Sequence, residues 1–376
     1  MKKTTIYRIT LLIQIILIIS SCGTEKKEIQ NIEVDIDDIQ KVSFFDIFSK
    51  ATIIPLETND SSLIRNITKI IPFNNKFYIL DYIKAEILFF DESGRYLSKI
   101  RDKGDGPNQY VNISDFDIDR SRNILICLSP VNNTMYEYDL SGNFLRKYKL
   151  PDIKGAYNRL KYLNQDILAF WTFDYNNRVK FYSKNKNSII KETFAEVENI
   201  ANNFTPFVFP YANYLCRSAN NTVYEVTDKT EVIEKYYWNF SGTNNSKRQI
   251  KKLEEIPQNE IRSFTNRILN SEIINYVFSL QGATNQYYYT QIWRKGKRIN
   301  IFHDKMNGNN YVFDKTIEDA GFYPLFWHND YVLGFHYEDL GNIEETIPNK
   351  ILDEQNIEIK KRIGEYDNPI LIKYHF

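Results

Sequence analysis

From about Phe45 onward the chain is a succession of short apolar runs rich in Ile, Val, Phe and Tyr, broken by clusters of Asn, Asp, Ser and Gly. β-Branched and aromatic side chains suit a pleated, half-buried surface and the breaks are turn formers, so the pattern predicts many short strands. The 27 Tyr and 25 Phe among 376 residues strengthen that reading. Two stretches depart from it. In 246–278, Ile250, Leu253, Ile261, Phe264, Ile268 and Leu269 recur near helical spacing on either side of Pro257, which divides the stretch into two short helices. A second helical pattern covers 349–366. We read about 246–275 as a helical insertion that either caps the fold or docks a partner.

The strand pattern repeats. "FFDESGRYL" (89–97) aligns without a gap on "EYDLSGNFL" (137–145), with Asp91, Ser93, Gly94 and Leu97 matching Asp139, Ser141, Gly142 and Leu145 at an offset of 48 residues. The same offset carries "NKFYILD" (75–81) onto "NILICLS" (123–129). Each copy reads strand, strand, D-x-S-G turn, strand, in which Asp and Ser side chains bond nearby amides and Gly permits positive φ. Weaker hairpins follow near 181, 224 and 292. A period of about 45 residues with four strands per unit is the signature of a β-propeller blade. The fold class predicted is all-β: a six-bladed propeller over 45–376, with short helical insertions. The first and last strand-like segments, 51–57 and 369–376, are expected to share one blade, because an unsealed ring would expose sheet edges.

The N-terminus has a different character. Lys2, Lys3 and Arg8 precede "ITLLIQIILII", an apolar run too short for an ordinary spanning helix, and small residues lead to Cys22. This is a secretory signal over 1–21, and "IISSCG" (18–23) resembles a bacterial lipobox, which implies that Cys22 carries the lipid. The charged text over 22–44, without aromatic residues before Phe44, reads as a flexible tether.

Composition narrows the function. Lys and Arg total 48, as do Asp and Glu, so no basic field exists to attract nucleic acid. Besides Cys22 only Cys127 and Cys216 occur, each within an apolar strand pattern. Buried free thiols are expected, and a disulfide scaffold or Cys-based zinc site is excluded.

The blade pattern resembles the six-bladed β-propeller lipoproteins of Bacteroidetes, related to NHL-repeat propellers. The residues that carry the likeness are "IIPLETND" (53–60), "FYILD" (77–81), "FFDESGRYL", "GDGPNQY" (104–110), "NTVYEV" (221–226), "DAGFYPLFWHNDYVLGF" (319–335) and "DNPILIKYHF" (367–376). The resemblance implies attachment in the cell envelope, on the periplasmic or the surface face. It also implies that Gly104, Gly106 and Pro107 turn the chain at a blade junction, with Tyr110 packed between blades. A phosphate-cradling role for this loop is excluded, since neither glycine spacing of that kind is present and a strand follows.

Candidate chemistry is sparse. Asp115, Asp117 and Asp119 alternate along one strand and share a face, so they either form a solvated or turn-capping acidic face or, in the channel, contribute to a Ca²⁺ site. No other cofactor is indicated. His303, His328, His336 and His375 are scattered, and no H-E-x-x-H or G-x-S-x-G motif occurs. "FWH" (326–328) reads as core packing or as an aromatic platform beside a base, and "KYYWNF" (235–240) and "QYYYTQIW" (286–293) as blade packing or sugar-stacking surfaces. Two functions remain: a lipid-anchored, non-enzymatic binding or scaffold module for a protein or glycan, or a calcium-dependent lactonase or esterase working in the central channel.

Overall fold

A computed structural model describes residues 29–173, 178–193, 213–216, 220–246, 269–274, 281–337 and 341–376. The signal segment 1–21, Cys22 and most of the expected helical insertion (247–268) lie outside the described residues.

Two N-terminal strands, β1 (Gln30–Glu33) and β2 (Lys50–Pro55), precede the repeating units. Blade 1 is β3 (Lys69–Phe73), β4 (Lys76–Asp81), β5 (Glu86–Asp91) and β6 (Tyr96–Ile100), and blade 2 is β7 (Asp115–Asp119), β8 (Ile124–Ser129), β9 (Thr134–Asp139) and β10 (Phe144–Lys149). Blade 3 follows with β11 (Tyr157–Tyr162), β12 (Ile167–Thr172), β13 (Val179–Ser183) and β14 (Ser188–Thr193). Blade 4 contributes β15 (Tyr214–Leu215), β16 (Thr222–Val226) and β17 (Val232–Asn239), and blade 5 contributes β18 (Gln281–Ala283), β19 (Tyr287–Arg294), β20 (Lys297–Asp304) and β21 (Asn310–Phe313). Blade 6 has β22 (Pro324–Trp327), β23 (Tyr331–His336) and, after short helices α1 (Ile343–Thr346) and α2 (Glu354–Lys360), β24 (Ile370–His375). Six four-stranded sheets thus make a six-bladed β-propeller within one compact unit, Asn31–Phe376.

The two N-terminal strands complete blades begun elsewhere. β2 pairs with β24 along its full length, from Lys50 opposite His375 to Pro55 opposite Ile370, so the chain's two ends share blade 6. β1 adds to β17 as the fourth strand of blade 4. The expectation of a flexible tether over 22–44 therefore fails from Gln30 onward. Ile32, Val34 and Ile36 alternate with polar residues and are buried against Tyr236, Trp238 and Ile301. Between β1 and β2 the chain crosses blade 5, where the Gln40 amide donates to the Val312 carbonyl at 2.8 Å and the Ile317 amide to the Val42 carbonyl at 2.8 Å.

The repeat turns form as their residues dictate. In the first, Asp91 Oδ1 accepts from the Ser93 amide (3.0 Å), the Ser93 hydroxyl (2.6 Å) and the Arg95 amide (3.0 Å), while Gly94 takes φ +87°. In the second, Asp139 accepts from the Ser141 and Asn143 amides at 2.8 and 2.9 Å, and Gly142 takes φ +91°. At the junction of blades 1 and 2, Tyr110 is fully buried; its hydroxyl donates to the Ala85 carbonyl at 2.8 Å and its ring meets Tyr136 edge-on. Aromatic side chains fill the space between blades 5 and 6 in the same way, with Phe302, Phe322, Trp327 and Tyr374 in one cluster. A Cβ on Gly282 would stand 2.2 Å from Trp327, so only glycine lets that indole lie against β18.

Candidate functional site

The first strand of each blade lies innermost, and the acidic strand β7 meets its neighbours β3 and β11 there. Asp115, Asp117 and Asp119 are all buried, at 2%, 2% and 0% exposure, which overturns the expectation of a solvated face. Asp115 and Asp117 stitch blades together. Asp115 accepts from Lys69 Nζ of blade 1 at 2.9 Å through Oδ1 and from the Leu160 amide of blade 3 at 2.9 Å through Oδ2. Two residues along, Asp117 Oδ2 accepts the Tyr162 amide at 2.9 Å, with Lys161 Nζ 3.8 Å away. Burial pushes the Asp117 carboxyl up, yet Lys161, Lys69 and the Tyr162 amide together hold it below the usual carboxylate range. Burial likewise pulls the Lys161 ammonium below its ordinary value, against the attraction of Asp117.

Asp119 is the turn-capping member. It accepts from the Ser121 hydroxyl at 2.6 Å and pairs with Arg122 Nε at 2.5 Å. A Ca²⁺ ion needs several oxygen ligands converging on it. Here the carboxylates face ammonium, guanidinium and amide groups instead, and no cluster of three or more His, Cys, Asp or Glu suited to a metal exists among the described residues. These residues do not fit the calcium-dependent hydrolase site.

A recess of about 520 Å³ opens instead at the seam between blades 6 and 1. Its size falls within the range of small-molecule sites. One wall is the β3–β4 hairpin, whose Asn74 and Asn75 take φ of 48° and 56°. Positive φ at both central residues is the geometry of a tight two-residue hairpin turn, and it presents the carboxamides at the rim. Phe73 and Lys76 flank them, and Arg120, from the turn after β7, reaches across with its guanidinium 5.7 Å from the Phe73 ring centre. The opposite wall is blade 6. Tyr331 stacks with His328 at 4.7 Å between ring centres, and Lys373 Nζ lies 4.2 Å from the Tyr331 ring centre. His375 Nε2 is 3.1 Å from the Thr52 hydroxyl, which joins β24 to β2 at the floor. Burial, with Lys373 and Lys50 nearby, lowers the His375 imidazole below its ordinary value and keeps it neutral at pH 7.

The histidines that look scattered in sequence thus divide. His328 and His375 meet in the recess, His336 is buried with Nδ1 3.0 Å from the Thr346 hydroxyl, and His303 is 2.9 Å from Asn310 Oδ1 on β21. In "FWH", Phe326 and Trp327 are core residues and only His328 turns to the recess. Tyr236, Trp238 and Tyr289 are buried packing residues. Cys127 and Cys216 are buried free thiols, as expected. Sequence reasoning missed the recess because its walls come from six separate segments; the available signal was the Asn-Asn hairpin at 74–75.

A family model described as a domain of unknown function (DUF4934) matches residues 27–375. Among solved structures, a Bacteroides fragilis protein described as a putative exported protein superposes with a TM-score of 0.70 at 17% identity, covering 92% of this chain and 99% of its own. A member of the DUF4221 family from Bacteroides vulgatus follows with a TM-score of 0.53 at 12% identity, covering 88% of this chain and 97% of its own. At these identities the likeness establishes the propeller fold. No curated protein matches the sequence.

Proposed function

The chain belongs to the DUF4934 family, and on that premise we propose that it is a lipid-anchored, extracytoplasmic propeller that works as a non-enzymatic binding or scaffold module. The lipid is attached at Cys22, and the mature domain stands outside the cytoplasmic membrane on the cell envelope. That the Bacteroides fragilis protein of similar fold is described as exported supports that compartment. The partner, a protein or a glycan, engages the recess at the blade 6–blade 1 seam.

The observation that carries this reading is the contrast between the axis and the seam. The axial carboxylates are satisfied, Asp115 and Asp117 by groups of adjacent blades and Asp119 by its own turn, whereas the seam holds an open, mixed aromatic and polar recess. Convergent polar groups around an apolar-walled concavity are the usual form of a recognition site. Two measurements test the proposal. Labelled palmitate should be incorporated by the parent chain and not by a Cys22→Ser variant. A ligand found on glycan and peptide arrays should be lost when Tyr331 becomes Ala. Unchanged labelling would remove the anchor, and a ligand retained by Tyr331→Ala would move the site elsewhere.

A further inference from the structure

The seam recess has a marked imbalance of charge. Lys76, Arg120 and Lys373 line it, against Glu92 alone, and His328 and His375 add two imidazoles. Among the described residues neither Lys76 nor Lys373 is held in an ion pair. Lys373 instead rests on the Tyr331 ring, and Arg120 lies over Phe73 from the facing wall, so aromatic surfaces hold cations in place on two sides of one concavity. A lysine ammonium resting on a ring keeps N–H donors directed elsewhere, and the Asn75 carboxamide adds a neutral donor nearby, while Asn74 Nδ2 donates to Asn123 Oδ1 at 3.3 Å and the Thr52 hydroxyl meets His375. The two cation-bearing rings are covered by these contacts, and a bare sugar face gains little stacking there.

We infer that the recess is an oxyanion receptor, taking a sulfate, phosphate or carboxylate group either as a free ion or as the acidic substituent of a saccharide. Planar guanidinium and ammonium donors match such groups, and charge-assisted bonds to them are roughly twice as strong as neutral ones. The inference rests on the seam recess being the binding site and adds the chemistry of what enters it.

The test is calorimetric titration of the full-length protein in detergent, at constant ionic strength set with chloride, because exposed charges are screened by salt. The probes are inorganic sulfate, inorganic phosphate, a sulfated disaccharide and its unsulfated counterpart. The sulfated disaccharide or an inorganic oxyanion should bind, and a Lys76→Gln/Lys373→Gln variant should bind it about tenfold more weakly or worse. Because both lysines are only partly buried, the variant should melt with the parent; if it does not, Lys76→Arg/Lys373→Arg should keep both stability and binding. Much tighter binding of the sulfated sugar than of free sulfate assigns the saccharide source, and equal binding assigns the free ion. Binding of the neutral disaccharide as tightly as the sulfated one would overturn the receptor chemistry and leave the seam as a site. Oxyanion binding unaltered by the Gln variant, or none at all, would overturn it too. An uncharged array ligand lost in Tyr331→Ala would leave the proposed function standing without this inference.

Discussion

Lys69 Nζ of β3 lies 2.9 Å from Asp115 Oδ1 of β7, and this contact ties the inner strands of blades 1 and 2 together. Asp115 has 3% side-chain exposure and Lys69 has 23%, so the pair is shielded from water on one side and half-shielded on the other. Removing one partner of such a pair leaves a charge uncompensated, at a cost of roughly 3–5 kcal/mol. Asp115→Asn should therefore lower stability by that order in urea unfolding, and added Ca²⁺ should restore none of it. A loss below about 1 kcal/mol would show the carboxylate to be effectively solvated.

That contact marks the boundary of what the sequence makes legible. The 48-residue offset and the D-x-S-G turns follow from local patterns whose partners lie within one hairpin or one repeat, the junction role of Tyr110 came with the family resemblance, and the shared closing blade, whose partners are over 300 residues apart, followed from the need to seal the ring. The alternation of Asp115, Asp117 and Asp119 was legible too, but their burial was not, because Lys69 and Lys161, which pair with Asp115 and Asp117, lie about 45 residues away on either side. Ile32, Val34 and Ile36 carry a period-two strand signal that the surrounding acidic residues obscure. Their burial depends on Trp238, some 200 residues on, and no local reading supplies that partner.

The closing strands should differ in their weight. β24 is flanked by β2 and β23, so deleting residues 369–376 removes an interior strand and orphans both neighbours. The domain should then fail to fold. Val34→Asp disturbs only the edge strand segment on blade 4, placing a charge among buried side chains, and should destabilise by about 2–4 kcal/mol while leaving the circular dichroism of the remaining sheets intact. A truncated chain that melts like the parent would disprove the shared blade.

Two glycines with the same turn role should respond unequally. Gly94 and Gly142 both take positive φ, which costs an L-residue roughly 1–2 kcal/mol. A Cβ on Gly94 would also fall 2.0 Å from the Pro55 carbonyl oxygen of β2, whereas one on Gly142 meets side chains alone, the Phe89 ring edge at 3.3 Å and Ile100 at 3.5 Å. Gly94→Ala should thus be clearly the more damaging substitution, because it pushes against the backbone of the closing strand. Equal melting temperatures for the two variants would contradict this placement of β2 against the first D-x-S-G turn.

Acid should weaken the protein in two stages, and the first belongs to histidine. Burial, with Lys360 beside it, lowers His336 below the ordinary imidazole value, and His375 is lowered by burial with Lys373 and Lys50. A base whose folded pKa lies below its unfolded one binds more protons when unfolded, so stability rises with pH between the two values. The contribution is complete above about pH 6.5 and is lost as pH falls from there towards the folded values. The carboxylates act only lower down: Asp91, Asp119 and Asp139 are held below the usual range by their turn and ion-pair partners, so their contribution is lost below about pH 4. Unfolding free energies measured from pH 7.5 to 5 should therefore already decline before any carboxylate titrates. His336→Gln keeps a hydrogen-bonding side chain for the Thr346 hydroxyl and should flatten that early decline, leaving the part due to His375. A parent whose stability stays constant down to pH 5 would show that neither imidazole is held neutral by the fold.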